Sequence, residues 1–350
     1  MQFEIGQEVG MSLKSLRYVT LLVAVGIAPA LSAHGAPPSQ APQVPLAYSV
    51  EEFRDAIRSG GPGKDGIPSI DRPRFQSANQ AALSADDKVI GVYHRGQARA
   101  YPQRILVWHE IVNDELGGDA LSITYCPLTG TALGFKRGET QFGVSGKLVN
   151  SNLVMYDRAT DSEWPQILGV AIDGPLANEG LEEFRVFWTT WGAWQARHPE
   201  TEVLTEETGF VRNYRRDPYG SYNPISGYYA PDSRRLFPVM QRDDTFPPKR
   251  VVFGLRTRDG ALAITQEALR SESVIDVALG ESHYTVIHDP GLDTGWAFSN
   301  PEEISVNAAE LDFTAEGVTG PGIDLLEPVN GFEAMWFAWA AFYPDTYLHE

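Results

Sequence analysis

The chain contains a single cysteine, Cys126, so no intramolecular disulfide can form, and every chemical reading of the sequence turns on that thiol. Thiolate, imidazole and thioether together form a ligand set that favours copper. Cys126, His109 and Met155 supply one of each, with His94 or His198 as a further histidine. The short Cys/His spacings of small metal domains are absent. The same thiol also fits covalent catalysis. In that reading His109 takes the Cys126 proton, and Asp157 or Glu110 orients the imidazole. Amides of the turn Thr129-Gly130-Thr131 would then stabilise an oxyanion, and the reaction would be hydrolysis or acyl transfer. In the third reading Cys126 is a core residue, because free cysteine is among the most buried side chains. The protein is then a non-catalytic binding or scaffold module. Asp65 and Asp71 are weaker candidates for a cation, since Gly66 and Pro68 beside them mark a shaped loop. Asp157-Arg158 reads as a buried salt bridge or a catalytic pair.

Charge narrows the partners. The 350 residues carry a formal net charge of −18, which repels phosphate backbones and excludes nucleic-acid binding as a main role. Lys14 and Arg17 precede an apolar run from Tyr18 to Leu31, and Ala30-Leu31-Ser32 has the small residues of a cleavage site. Residues 1–32 are therefore expected to be a signal peptide, and 33–50 a flexible leader. The protein is expected to be exported, periplasmic or extracellular. No later segment has the apolar length of a membrane span.

The elements that must position Cys126 occur twice. Shifted by 163 residues, Val89–Phe135 lies over Val252–Phe298 without a gap and with twelve identities, among them Gly91/Gly254, Pro127/Pro290 and Thr131/Thr294. The block Trp191…Trp194…Pro199 lies over Trp336…Trp339…Pro344 at an offset of 145. Self-similarity of this kind predicts two related units packed into one compact body, 51–210 carrying the candidate site and 211–350 scaffold-like. In the second copy Asp289 stands where Cys126 does and Glu272 where His109 does. The expected fold is mainly β with short helices (α+β). Hairpins are predicted around Arg95-Gly96 and through Gly138, with a strand over Leu121–Tyr125 stopped by Cys126-Pro127. A short helix capped by Thr189 or Thr190 carries Trp191 and Trp194 on one face.

Several longer motifs carry a family resemblance. They are Asp65-Gly-Ile-Pro-Ser-Ile-Asp71, Trp108-His-Glu-Ile-Val-Asn-Asp114, Thr124-Tyr-Cys-Pro-Leu-Thr-Gly-Thr131, Ser145-Gly-Lys-Leu148 and Met155-Tyr-Asp-Arg158. With the two tryptophan blocks, they resemble the bacterial and archaeal domain-of-unknown-function family numbered 3179. Pro165 departs from the pattern, where a small polar residue is expected. The resemblance covers roughly Glu51 to the C-terminus. It implies an exported globular protein and carries no established activity.

Overall fold

Alternating apolar residues and tight turns make strands the dominant element. In the computed structural model, residues 35–42 and 44–350 are described. The expected signal peptide lies outside the described residues. Ala33–Glu350 forms one compact unit. Among the described residues no helix is long and apolar enough to cross a membrane.

Two ladders organise the N-terminal half. The first runs Phe187–Thr190, Lys88–His94, Gln97–Pro102, Glu202–Leu204, Phe75–Ser77. Its central hairpin turns at Arg95 and Gly96, both at positive φ, the turn whose twist matches paired strands. The second runs Glu183–Phe184, Thr131–Lys136, Asp119–Cys126, Ile111–Leu116. In the C-terminal half, one ladder runs Gly331–Met335, Val251–Thr257, Gly260–Thr265, Tyr347–His349. The other runs Val274–Leu279, Ser282–Asp289, Thr294–Ser299, Glu327–Val329.

The pairing registers agree between halves at the offset of 163. Gly91 faces Ala100 as Gly254 faces Ala263, and Cys126 faces Thr131 as Asp289 faces Thr294. The helices Trp191–Arg197 and Trp336–Phe342 follow equivalent strands. Trp194 and Trp339 each donate an indole N–H to a threonine, Thr201 and Thr346, at 3.0 Å. Each lies flat over a strand glycine, Gly91 or Gly254, where a Cβ would overlap the ring. Glycine is needed there for close approach of ring to backbone.

Two expectations need correction. The segment 33–50 is tied down over its described part: Ser39–Gln40 pairs with Gly180–Leu181, and Val44, Leu46 and Tyr48 pack on the core. Their apolar side chains gain more from burial than from a loose chain. The predicted hairpin through Gly138 does not form. Thr131–Lys136 pairs with Asp119–Cys126, whereas Phe142–Val149 turns away to pair with Asn152–Asp157. The Asn113 side chain holds that turning point, accepting from Phe142 N–H and donating to Phe142 O. Phe142–Val149 and Asn152–Asp157 form a further sheet with Glu163–Pro165 and Arg58–Ser59.

The glycine seats yield a paired prediction. Gly91→Ala and Gly254→Ala should each cost about 1–3 kcal/mol in urea unfolding, because a rigid indole cannot yield to an added methyl. A loss below about 0.5 kcal/mol at either site would contradict the packing described, since such overpacking is felt.

Candidate functional site

Cys126 ends its strand in the core at 1% exposure. Its Sγ accepts the Leu153 N–H at 3.4 Å and lies 4.0 Å from the Ser151 carbonyl. Asn150 and Ser151, both at positive φ, form the turn that closes over it. Their side chains reach the C-terminal half, Asn150 donating to Ala341 O and Ser151 to Phe237 O. Burial pushes the Cys126 thiol up to about 11, with the Glu110 carboxyl adding to the effect. The thiolate fraction at pH 7 is then roughly one in ten thousand.

The polar residues beside Cys126 satisfy one another. Thr129 and Thr131 hydroxyls lie 2.8 Å apart, and Thr131 donates to Gln166 Oε1 at 2.6 Å. Asn152 Nδ2 donates to Gln166 Oε1 and to Thr129 Oγ1, and Gln166 Nε2 donates to Thr124 Oγ1. All five side chains are fully buried. A closed network of this kind fixes one arrangement of the core and leaves no group free for a substrate.

His109 is engaged elsewhere. Its Nδ1 lies 2.7 Å from Pro68 O and its Nε2 2.7 Å from the Tyr214 hydroxyl. A carbonyl only accepts, so Nδ1 carries the proton and Nε2 accepts from Tyr214. Burial pulls the imidazole down to about 4, and Arg212 adds to the effect. Both ring nitrogens are therefore spent on partners other than Cys126. Asp157, fully buried, accepts from Ala159 N–H, Thr160 N–H, Thr160 Oγ1 and Trp164 Nε1. It caps a turn and does not orient His109. Arg158 pairs with Asp71 and Asp65, not with Asp157. Those two aspartates accept from Arg158, Ser69, Asn113 and Tyr156, which makes them loop anchors. Met155 packs in the same core as Cys126, paired with Val144 and Trp164. His94 bonds Asp119, and His198 lies against the Trp194 ring. The residues proposed for catalysis and for copper thus share a region without joining through their polar atoms. Among the described residues, no group of three or more His, Cys, Asp or Glu side chains is placed to hold a metal.

The second-half counterparts have structural partners. Asp289 is fully buried and takes Arg197 through two bonds of 2.9 and 3.0 Å. Glu272 bonds His349.

Sequence reasoning missed what lies next to the Cys126 turn. Five tyrosines fall between positions 214 and 229. Three of these, Tyr219, Tyr222 and Tyr228, are raised in pKa partly by Cys126, with burial the larger cause. Tyr222 stacks on Tyr229 at 4.0 Å and meets Trp188 edge-on at 5.3 Å. Gly130 leaves room for Met335, whose Cε would lie 3.2 Å from a Cβ at that position. Beyond Met335 and Tyr222 opens a cleft of about 550 Å³ between the two halves. Its walls include Lys88, Trp188 and Ala193 from one half and Tyr229, Lys249, Gln266 and Glu333 from the other. Burial draws Lys249 down to about 7, with Arg235 adding to the effect, and its ammonium donates to Tyr228 O. Glu333 is raised by burial. A concave, ring-lined site with a few convergent polar groups is suited to a small molecule. The clustering of tyrosines was the signal in the sequence that could have located it.

Two predictions come from this geometry. Native protein at pH 8 should resist iodoacetamide and label fully at Cys126 in denaturant; rapid native labelling would contradict a buried, protonated thiol. His109 in the unfolded chain takes up a proton near 6.5, but in the fold only near 4. Stability should therefore fall as pH drops through that window, because the unfolded state binds the extra proton. His109→Gln should make the stability–pH slope between 6.5 and 4 shallower, and an unchanged slope would show that His109 titrates normally.

No curated protein and no solved structure matches the chain. The family model described as "Protein of unknown function (DUF3179)" matches residues 64–346, so the chain belongs to that family.

Proposed function

We propose that this protein is an exported, non-catalytic binding module whose ligand site is the cleft between its two halves. The observation that carries the reading is the cleft itself, with aromatic walls and an unpartnered amine. The Lys88 side chain has no hydrogen bond or contact ion pair among the described residues, and burial lowers its pKa against the pull of Asp293 and Glu333 farther off. Unpaired, partly desolvated cations are costly to keep unless something binds them.

This reading is favoured over copper at Cys126, His109 and Met155 on energetic grounds. Copper would require His109 to give up Tyr214 or Pro68, and Cys126 to lose its proton in a buried position. The same thiol is a poor nucleophile for hydrolysis or acyl transfer, because burial holds it protonated and His109 is engaged by Pro68 and Tyr214. The matching registers at an offset of 163 support descent of the halves from one duplicated unit. In such an arrangement a cleft at the seam is a natural place for a ligand, since neither unit alone closes it.

The test is a thermal-shift screen of small metabolites against the purified protein, repeated with Ala193→Trp, which fills the cleft. At least one compound should raise the melting temperature of the wild type and lose that effect in the variant. Hits that survive Ala193→Trp, or no hit at all, would overturn the proposal.

A further inference from the structure

The groups left without partners around the cleft define what would satisfy them. Arg270 is held by Asp293 through two bonds of 2.8 Å, and Arg250 is paired with Glu267 at 3.0 Å. Two cations of the cleft wall have no carboxylate at contact distance: Lys249, which donates to Tyr228 O and lies over the Tyr228 ring, and Lys88, whose side chain has no contact partner and feels Asp293 and Glu333 from farther off. Trp188 lies on the same face of the ladder, because Thr190 is directly opposite Lys88 and Trp188 is two residues along. Its indole N–H has no acceptor among the described residues. Gln266 Oε1, also in the wall, is buried with no donor. The cleft therefore presents two donors, one of them charged, one orphan acceptor, and a wall of flat rings.

We infer that the cleft is built for a small aromatic monocarboxylate that carries its own hydrogen-bond donor. The carboxylate would lie at Lys88 and the Trp188 N–H, and the donor would meet Gln266 Oε1. The ring would pack against Trp188, Tyr222 and Met335. Charge argues for a single negative group: Lys249 is already engaged by Tyr228 O, which leaves the Lys88 ammonium for one carboxylate, and a dianion would meet Asp293 and Glu333, which already act on Lys88. Desolvation of the Lys88 amine supports the same match, since an anion restores the interactions that burial removes. This inference rests on the cleft being a ligand site and goes further, to the ligand's chemistry.

The experiment is isothermal titration of the full chain with 4-hydroxybenzoate, benzoate and 4-hydroxybenzyl alcohol. The set differs in the carboxylate and in the second donor. We expect 4-hydroxybenzoate to bind best, and loss of the carboxylate to weaken binding about tenfold or more, the value of a charge-assisted hydrogen bond. Lys88→Met should weaken 4-hydroxybenzoate by a similar factor without changing 4-hydroxybenzyl alcohol. Lys88→Arg, which keeps the charge and controls for folding, should retain binding within about threefold. Equal affinity for acid and alcohol, or no effect of Lys88→Met, would overturn the inference. So would a failure of all three probes to bind. In each of those cases a cleft-dependent hit from the metabolite screen would leave the binding reading standing, so the two failures are separable.

Discussion

The hydrogen bond from Met335 N–H to Thr129 O, 2.9 Å long, joins the two halves at the turn that follows Cys126. On one side of it lies the closed network of Thr124, Thr129, Thr131, Asn152 and Gln166. On the other lies Met335, beside Gly130 and lining the cleft. The turn must hold its shape for both to exist. Each member of the network is fully buried, so a lost partner would leave a polar group unsatisfied in the core. The seam is thus rigid where it meets Cys126 and open a few residues away.

Other contacts keep the halves in that relation. Thr189 donates to Leu292 O at 2.8 Å, placing the edge strand that carries Trp188 against the loop that carries Asp293. Arg185 bridges to Thr294 Oγ1 and Gly295 O. Arg197 grips buried Asp289, and Arg256 reaches across to Leu168 O. Arg197 and Arg256 meet carboxylates or carbonyls, which makes the seam specific as well as apolar, whereas one Arg185 guanidinium nitrogen is buried without a partner. These crosslinks act together with one apolar core shared by both halves, from Phe53, Cys126 and Met155 to Val252, Trp339 and Phe342.

Much of the scaffold was legible in the sequence. Period-two runs and the Arg95-Gly96 turn located the first hairpin, and Thr190 caps the tryptophan helix as read. The reading failed where pairing is decided at a distance. Gly138 looked like a hairpin turn, but Asn113, 29 residues away, holds Phe142 on another sheet. The site was the least legible part. His109 and Cys126 drew attention by residue type, yet the partners of His109 are Pro68 and Tyr214, 41 and 105 residues away. No local pattern reports such bonds. The cleft draws on residues from Lys88 to Met335, and only the run of tyrosines before it left a mark in the sequence.

If the protein holds a small molecule at the seam while its thiol stays a core residue, native mass spectrometry of protein purified under mild conditions should show it. The expected result is a population carrying a small non-covalent mass that is shed on denaturation, with Cys126 unmodified and no bound metal. A covalent adduct on Cys126, or stoichiometric copper released only on unfolding, would contradict it.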